Sequence, residues 1–197
     1  MGLSYAKPAR HMREYMAALG PLLRGEPVAF EGEEYKVNGA LEVPEAGSVP
    51  VLIAALGDLM LRIAGQTSQG TILWMTGPAT IESHIIPKIS AAADEAGQPA
   101  PRIVAGFPII LTQGTERTHQ YISKSLAVYG QLPSYRAMLD KEGAAGAADV
   151  ALAGDEKYLD AALDRLRDIG VTDFNAAIMP LDDAAEERTL KYLESRL

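Results

Sequence analysis

Four apolar segments, each followed by a stretch with helical periodicity, constrain this chain more than any other feature. The segments cover residues 49–57, 70–78, 101–112 and 171–180 (VPVLIAALG, GTILWMTGP, PRIVAGFPIILT and VTDFNAAIMP). Strands that are apolar on both faces are typical of parallel sheets covered by helices. Their alternation with helices predicts βαβ units with right-handed crossovers. We therefore expect an α/β fold with about four parallel strand–helix units.

The helices between these segments carry their own signals. Asp58 is suited to cap a helix over 58–66, and Gly97 to end the helix that starts near Ala79. Helical material is expected from Thr115 to about Tyr129, followed by a looser helical stretch over 132–154. Residues 155–170 predict a strongly amphipathic helix, whose expected apolar face is formed by Tyr158, Leu159, Ala162, Leu163, Leu166 and Ile169.

Residues 1–48 have a different sequence pattern. Pro8 fits a first helical turn, and apolar residues at helical spacing predict a helix that ends at Gly25. Short alternating segments around Glu31-Gly32 then predict a β-hairpin over 28–39, and 40–48 has the composition of a linker. We expect one domain over 1–197, with this helix, hairpin and linker in 1–48 and the strand–helix units in 49–197.

Composition argues against several classes of partner. A net charge of −8 and a pI near 4.9, without clustered Lys or Arg, argue against nucleic acid and anionic membranes. The absence of Cys excludes disulfides, thiolate catalysis and zinc ribbons. The longest apolar run, Val49 to Leu56, is too short to span a bilayer, and no segment resembles a signal peptide. We expect a cytoplasmic protein.

The turn after the first strand is the first candidate site, formed by Ala54, Ala55, Leu56 and Gly57. In parallel α/β folds ligands lie beyond the carboxyl ends of strands, where helix N-termini present free N–H groups. Small residues there admit a flat ring or a phosphate. The alternative is that the alanines pack and Gly57 only makes a turn, and spacing alone leaves both interpretations open. Neither a G-x-G-x-x-G nor a Walker motif is present.

The turn after the second strand is equivalent in position, with Met75, Thr76 and Gly77 before Pro78. A Thr hydroxyl and a Gly N–H at a helix entrance can cradle a phosphate, although a plain helix cap is equally consistent. Trp74 either forms a wall of the same crevice or belongs to the core. Two such turns at one end of a sheet favour a ligand site.

The sequence supports neither a metal site nor a hydrolase active site. His11 and Glu14 share a helix face but lack further ligands at suitable spacing, so no metal site is predicted. His84 and His119 are expected in helices, exposed or capping. No G-x-S-x-G elbow is present.

Residues 3–37 and 50–89, together with 102–112 (RIVAGFPIILT), 132–140 (LPSYRAMLD) and 170–174 (GVTDF), resemble the luciferase-like monooxygenase superfamily. Within it, the chain is most similar to oxidoreductases that use the deazaflavin coenzyme F-420. The resemblance implies a (β/α)₈ TIM barrel with the cofactor in the mouth, at the C-terminal ends of the strands. It implies that Ala54–Gly57 border the deazaflavin, and that Met75, Thr76 and Gly77 lie along its phosphate-bearing tail.

Two departures from the family pattern stand out. The family has Pro after the first glycine and Ala-Asp-Gly before the next strand, whereas this chain has Gly57-Asp58 and Ser68-Gln69-Gly70. Asp58 would add negative charge near an anionic cofactor. A full barrel takes about 250 residues, so the chain resembles a C-terminal half, a partial barrel over 49–197. The family's acidic and histidine groups lie on the other half, and we name no catalytic residue.

Three functional hypotheses follow. The first is an F-420-dependent oxidoreductase that transfers hydride to or from a small organic substrate and is incomplete as an isolated chain. The second is a binding or assembly module without catalysis, and the third an FMN-dependent monooxygenase of the same superfamily. An open half-barrel leaves unpaired strand edges and an uncovered inner surface. We therefore also predict a homodimer, or a partner chain that covers this face.

Overall fold

A computed structural model describes residues 6–42, 49–179 and 181–197. The chain divides into two compact units, one of Met1–Thr71 with Lys88–Pro101 and one of Ile72–Pro87 with Arg102–Leu197. The predicted linker lies mostly outside the described residues. The expectation of a single domain over 1–197 stays a prediction.

The first unit contains the predicted helix and hairpin. Helix α1 spans Pro8–Leu23, and strands β1 (Val28–Glu31) and β2 (Lys36–Gly39) pair antiparallel. The Glu14 carboxylate, on α1, accepts hydrogen bonds from the backbone N–H groups of Glu33, Glu34 and Tyr35 at 3.2, 2.8 and 3.1 Å. One side chain of the helix thereby satisfies three donors in the hairpin turn, which fixes the hairpin to α1.

Helix α2, Asp58–Thr67, packs its buried residues Leu61, Ile63 and Ala64 into the core of this unit. Asp58 does not cap it, contrary to the prediction. The cap position is Gly57, which has no side chain to accept a bond, and Asp58 is the first helical residue. Its carboxylate instead receives a hydrogen bond from Lys88 Nζ at 2.6 Å.

The first predicted strand, 49–57, is reduced to one bridge between Ile53 and Thr71. Ile53 is buried whereas Ala54 is exposed, so the segment is not covered on both faces. Pro50 has no N–H, and the N–H of Val51 donates to the side-chain oxygen of Gln69 at 2.6 Å. Because these donors are missing or diverted, the extended segment does not develop a full ladder.

The second unit is built on a sheet. Its strands are β3 (Gly70–Trp74), which begins in the first unit, β4 (Arg102–Leu111), β5 (Leu152–Gly154) and β6 (Asp173–Ile178). Strand β4 lies beside β3 and pairs in parallel with β5 and β6. Its eight residues from 103 to 110 are all buried, as a central strand covered on both faces requires. The predicted parallel α/β sheet is confirmed.

Strand β5 is missing from the prediction, which placed helical structure over 132–154. It is three residues long and rich in small side chains, and among the described residues it pairs with Ile109–Leu111 at the end of β4. Strand β6 pairs with β4 from Val104 to Ile109. β5 therefore extends the sheet at the carboxyl end of β4, where β6 stops.

The remaining helical segments are α3 (Pro78–Thr80), a π-helical turn (Ile81–Ile85), α4 (Ile86–Glu95), α5 (Thr115–Ser125), a 3₁₀ turn (Ala127–Gln131), α6 (Pro133–Glu142), a second 3₁₀ turn (Ala147–Val150), α7 (Glu156–Asp168) and α8 (Asp183–Glu194). Leu159 and Leu166 of α7 are buried as predicted, but Tyr158 is 48% exposed. None of the helices in the described ranges combines the length and apolar character that a bilayer crossing needs.

Candidate functional site

The Gly57 turn lies in the first unit, where β-type backbone meets the N-terminus of α2. Thr71 Oγ1 donates to the Ile53 carbonyl at 2.8 Å, and Ala55 is 1% exposed, so the residues just before the turn are held in place. Gly57 itself is exposed, with φ −87° and ψ 160°. These angles suit any residue, and a Cβ added at Gly57 would meet no atom within 4 Å. Neither the turn nor the packing requires glycine here.

A groove of about 650 Å³ borders this turn and is lined by Lys7–Arg10 and Gly57–Met60. The lining is almost entirely apolar, and it includes the first residues of α2. Asp58 is paired with Lys88, whose ammonium offsets the negative charge at the helix entrance. The turn thus combines bared backbone, open space and a locally balanced charge.

The Gly77 turn lies in the second unit and begins with a backbone feature. Met75 has φ 49°, a left-handed conformation that costs a non-glycine residue of order 1–3 kcal/mol. It is 1% exposed, and its N–H donates to the Gly106 carbonyl at 2.9 Å. Packing and this hydrogen bond hold the conformation, which turns the chain from β3 into α3. Strained backbone of this kind is concentrated at functional sites.

Trp74 precedes that turn and is packed on a glycine. A Cβ at Gly106 would lie 2.7 Å from the Leu73 carbonyl oxygen and 3.2 Å from the Trp74 ring, so only glycine lets this ring lie against β4. Tyr129 makes an edge contact with the indole, at 6.3 Å between ring centroids. The indole N–H is buried and has no hydrogen-bond partner among the described residues. A buried donor without an acceptor costs about 1–3 kcal/mol.

The amides at the Gly77 turn are already engaged. Glu142, the last residue of α6, accepts hydrogen bonds from the N–H groups of Ala79 at 3.1 Å and Thr80 at 2.7 Å. A Cβ at Gly77 would overlap the Glu142 carboxyl group. A side chain at Gly77 would therefore displace this carboxylate, and a carboxylate of this same chain occupies the place predicted for a ligand phosphate.

Asn175 is a polar group that the sequence analysis did not single out. It lies on β6 in register with Gly106 of β4, and its side chain is exposed. A Cβ at Gly106 would lie 3.6 Å from its amide nitrogen. Trp74 and Asn175 therefore flank Gly106 on one face of the sheet. The available signal was a lone amide between the apolar residues Phe174 and Ala176 of β6.

The histidines differ from one another. His11 Nε2 lies 3.3 Å from a Glu34 carboxylate oxygen, and His84 is buried, although it was expected to be exposed or capping. His119 is half-exposed and hydrogen-bonded to Asp149 at 2.9 Å. This bond, with the Gly146 N–H next in importance, lowers the pKa of the Asp149 carboxyl. No group of three metal-ligating side chains is found in the part of the chain that the structure describes.

The predicted residues are thus distributed between the two units. Ala54, Ala55, Leu56 and Gly57 lie together in the first, and Trp74, Met75, Thr76 and Gly77 lie together in the second. That both turns border one crevice stays a prediction.

Comparison with known proteins gives partial matches in sequence and a nearly complete match in structure. A 5,10-methylenetetrahydromethanopterin reductase from Methanolobus tindarius is 35% identical over 98 residues, 50% of this chain and 30% of the reductase. An F-420-dependent glucose-6-phosphate dehydrogenase from Mycolicibacterium fortuitum is 36% identical over 95 residues, 47% of this chain and 28% of that protein. Each match covers less than a third of the relative's length.

Among solved structures, an F-420-dependent secondary alcohol dehydrogenase in complex with an F-420–acetone adduct is similar with a TM-score of 0.77 at 16% identity. The similarity covers 98% of this chain and 64% of that one. At this identity it shows the fold alone, and the partial (β/α)₈ barrel that was expected is confirmed. The model of the family described as luciferase-like monooxygenase matches residues 1–188. The chain belongs to the luciferase-like monooxygenase family.

Proposed function

We propose that this chain binds the deazaflavin coenzyme F-420 as part of an oxidoreductase that transfers hydride between the coenzyme and a small organic substrate. The observation that carries the proposal is the Gly57 turn, where backbone faces open space although neither conformation nor packing requires glycine. A bared turn at the entrance of a helix suits the close approach of a flat ring. The F-420-dependent dehydrogenase among the relatives adds support by homology.

In this proposal Ala54, Ala55, Leu56 and Gly57 border the ring. When bound, the deazaflavin supplies the hydride chemistry, and the protein supplies binding and orientation. Trp74 and Met75 form a wall of the same site. The unpartnered indole N–H of Trp74 gives this wall a donor for a ring carbonyl. A carbonyl that accepts this bond would remove the cost of the buried, unsatisfied donor.

We assign the phosphate-bearing tail to Met75, Thr76 and Gly77. Two backbone amides just after this turn, those of Ala79 and Thr80, fit an anion, because the Glu142 carboxylate already accepts from both. The tail and the Glu142 carboxylate therefore compete for the same N–H groups. This competition limits how tightly the tail is held while Glu142 stays in place.

The experiment is equilibrium dialysis of the purified chain against oxidised F-420 and, in parallel, against FMN. Saturable binding of F-420 with little binding of FMN is the expected result. Preference for FMN would instead favour a flavin-dependent monooxygenase. Retention of neither cofactor by a folded chain would favour a binding or assembly module and contradict the proposal.

The proposal also includes the oligomeric state of the chain in solution. Among the described strands β6 pairs only with β4, so its other edge carries unpaired N–H and C=O groups. A homodimer, or a partner chain, would cover that edge. We also propose a cytoplasmic location.

A further inference from the structure

We propose that Tyr129 is a lid over the Trp74 indole, and that the subsite beneath it takes the oxygen of an uncharged carbonyl group. In the structure the lid is closed, because the Tyr129 ring lies against the indole. When it opens, the Trp74 N–H donates to the ligand oxygen and the Asn175 amide lies beside it. The inference rests on the proposed function only for the natural ligand, and it adds the residue that controls access to the Trp74 donor.

The first argument is the unpartnered indole N–H. Trp74 Nε1 is the one buried side-chain nitrogen or oxygen without a hydrogen-bond partner in the ranges that the structure describes. Buried hydroxyls of the same chain do find acceptors, since the side chains of Thr71 and Thr189 donate to backbone carbonyls at 2.8 and 2.7 Å. Because buried polar groups are nearly always paired, an exception of this kind indicates a donor that is kept for a ligand.

The second argument is that the covering turn is only lightly held. Tyr129 belongs to the 3₁₀ turn Ala127–Gln131, which contains no buried residue. Its ring makes edge contacts with Trp74 and with Tyr135, at 6.3 and 5.0 Å between ring centroids. The neighbouring Val128 is 56% exposed. Few buried contacts are typical of segments that open locally, so displacement of one ring is enough to open this turn.

The third argument is that both flanks of the turn are fixed. Before it, Ile122 of α5 is fully buried, and after it, Met138 and Leu139 of α6 are 4% and 1% exposed. Thr80 Oγ1 also donates to the Met138 carbonyl at 3.3 Å. Motion is therefore confined to the short segment that carries Tyr129, as a lid requires.

The polar group beside the indole determines what the subsite recognises. Asn175 is exposed and lies in register with Gly106, on the face of the sheet that carries Trp74. A Cβ at Gly106 would lie 3.2 Å from the Trp74 ring and 3.6 Å from the Asn175 amide nitrogen. The indole and the amide thus offer N–H donors to one ligand group, and a carbonyl oxygen has two lone pairs with which to accept them.

The charges around the indole favour an uncharged ligand. The Glu142 carboxylate lies where a Cβ of Gly77 would be, just after Trp74 in the chain. Asp173, on β6, is already paired with Arg102 at 2.5 Å. A ligand carboxylate would meet the negative charge of Glu142, and a buried charge is costly unless it is paired. A ketone, an amide or a lactam offers the same acceptor oxygen without this cost.

The test uses the ¹⁵N–¹H signal of the Trp74 indole, which is unique because the chain has one tryptophan. The probes are benzamide, which carries an uncharged carbonyl on a flat ring, and benzoate, which has the same shape with a negative charge. We expect benzamide to shift the indole signal saturably in the wild-type chain, and benzoate to bind at least tenfold more weakly. Asn175→Leu should weaken benzamide binding at least threefold.

Tyr129→Ala removes the lid. We expect at least tenfold faster hydrogen exchange of the indole N–H and at least threefold tighter benzamide binding, because no closed state has to be displaced. Tyr121→Ala, at an exposed position on α5, is the matched control and should behave as wild type. If Tyr129→Ala does not fold, Tyr129→Leu, which keeps an apolar side chain at this position, carries the test with the same expected direction.

Indole exchange as slow as in wild type, or benzamide binding no tighter than in wild type, would overturn the lid. Equal affinities for benzamide and benzoate, or no response to either probe, would overturn the assignment of an uncharged carbonyl. The outcome is independent of cofactor dialysis. Failure of the wild-type chain to bind F-420 contradicts the proposed function, whereas unchanged exchange in the Tyr129 variants contradicts the lid.

Discussion

At the scale of single residues, the glycines near the candidate site have different structural roles. Gly77 leaves room for the Glu142 carboxylate, and Gly106 leaves room for the Trp74 ring. Gly65 of α2 leaves room for the next helix, because a Cβ there would lie 2.5 Å from the Ile89 carbonyl oxygen and 2.9 Å from Ala92 Cβ. Gly57 alone among these four faces open space. We therefore attribute the glycine at this position to the approach of a ligand.

The first prediction is that Gly57→Ala leaves the fold intact. The native φ of Gly57 suits alanine, so the lower entropy of the unfolded chain favours the variant by about 0.4–1 kcal/mol. Gly57 is also the N-cap of α2, where alanine is disfavoured, so the two effects should nearly cancel and the free energy of unfolding should change by less than about 1 kcal/mol. Gly65→Ala is the matched control and should lower it by about 1–3 kcal/mol through overpacking. Urea unfolding followed by circular dichroism measures both. A clear loss of stability in Gly57→Ala would show that the turn needs glycine after all.

At the scale of elements, carboxylates from distant segments satisfy clusters of backbone donors. Glu14 does this for the hairpin turn and Glu142 for the helix that starts at Pro78. Each joins two elements through one side chain, and each sits beside a glycine, Gly32 or Gly77, whose missing Cβ makes room for it. The site turn is thereby fixed to α6, and the hairpin to α1.

A second prediction concerns the hairpin. Glu14→Ala leaves the N–H groups of Glu33, Glu34 and Tyr35 without their acceptor. We expect a loss of about 1–3 kcal/mol in the free energy of unfolding, together with faster hydrogen exchange at these three amides. Glu31→Ala, which removes an exposed partner of Lys36, should cost at most about 1 kcal/mol. Unchanged exchange in Glu14→Ala would contradict the role of Glu14.

A third prediction concerns pH and the contact between α7 and α8. Burial, together with the hydrogen bond that Tyr192 donates to Asp160 at 2.7 Å, raises the pKa of Tyr192 to about 12. In the unfolded chain a tyrosine titrates near pH 10. Because the folded pKa is the higher one, this contribution to stability is complete below about pH 10 and is lost as the pH rises towards 12.

Urea unfolding between pH 8 and 12 checks this dependence. Tyr192→Phe has no proton to lose at this position, so its stability should fall less steeply with pH than that of the wild-type chain. Tyr158→Phe, at an exposed position on α7, is the control and should follow wild type. An identical alkaline slope in all three proteins would contradict the raised pKa.

The elements also differ in how well the sequence predicted them. β4 and α7 were predictable because the nine-residue apolar run over 103–111 and a regular helical period are local signals. β5 was not, because three small residues become a strand only by pairing with the end of β4. The Glu142 contact was not predictable either, since it joins positions more than 60 residues apart. The apolar run over 49–57 suggested a full strand, yet only Ile53 forms a bridge.

At the scale of the whole molecule, the sheet has an unpaired side in the described residues. The side chains of β6 from Asp173 to Ile178 are half-buried or exposed, whereas those of β4 are buried over eight residues. Ile72 of β3 is also 36% exposed. Edges and partly covered apolar side chains of this kind favour association.

The fourth prediction is therefore a homodimer. Size-exclusion chromatography with light scattering should give twice the 21.0 kDa mass of the chain. Replacing exposed Asn175 with Lys places a charge on the partly covered face of β6 and should shift the dimer towards monomer. Asp164→Lys, an exposed change on α7, is the control and should leave the mass unchanged. A well-folded monomer at all concentrations would contradict the prediction.

The central claim is the proposal that the chain binds F-420 at the turn that is open at Gly57. The chain has a single tryptophan, Trp74. Tryptophan fluorescence titrated with F-420 tests it most directly, because a deazaflavin bound there absorbs the emission of this one residue. We predict saturable quenching in the wild-type chain and at least tenfold weaker binding in Gly57→Ala, which stays folded. Absence of saturable quenching, or equal affinity in the two proteins, would contradict the account.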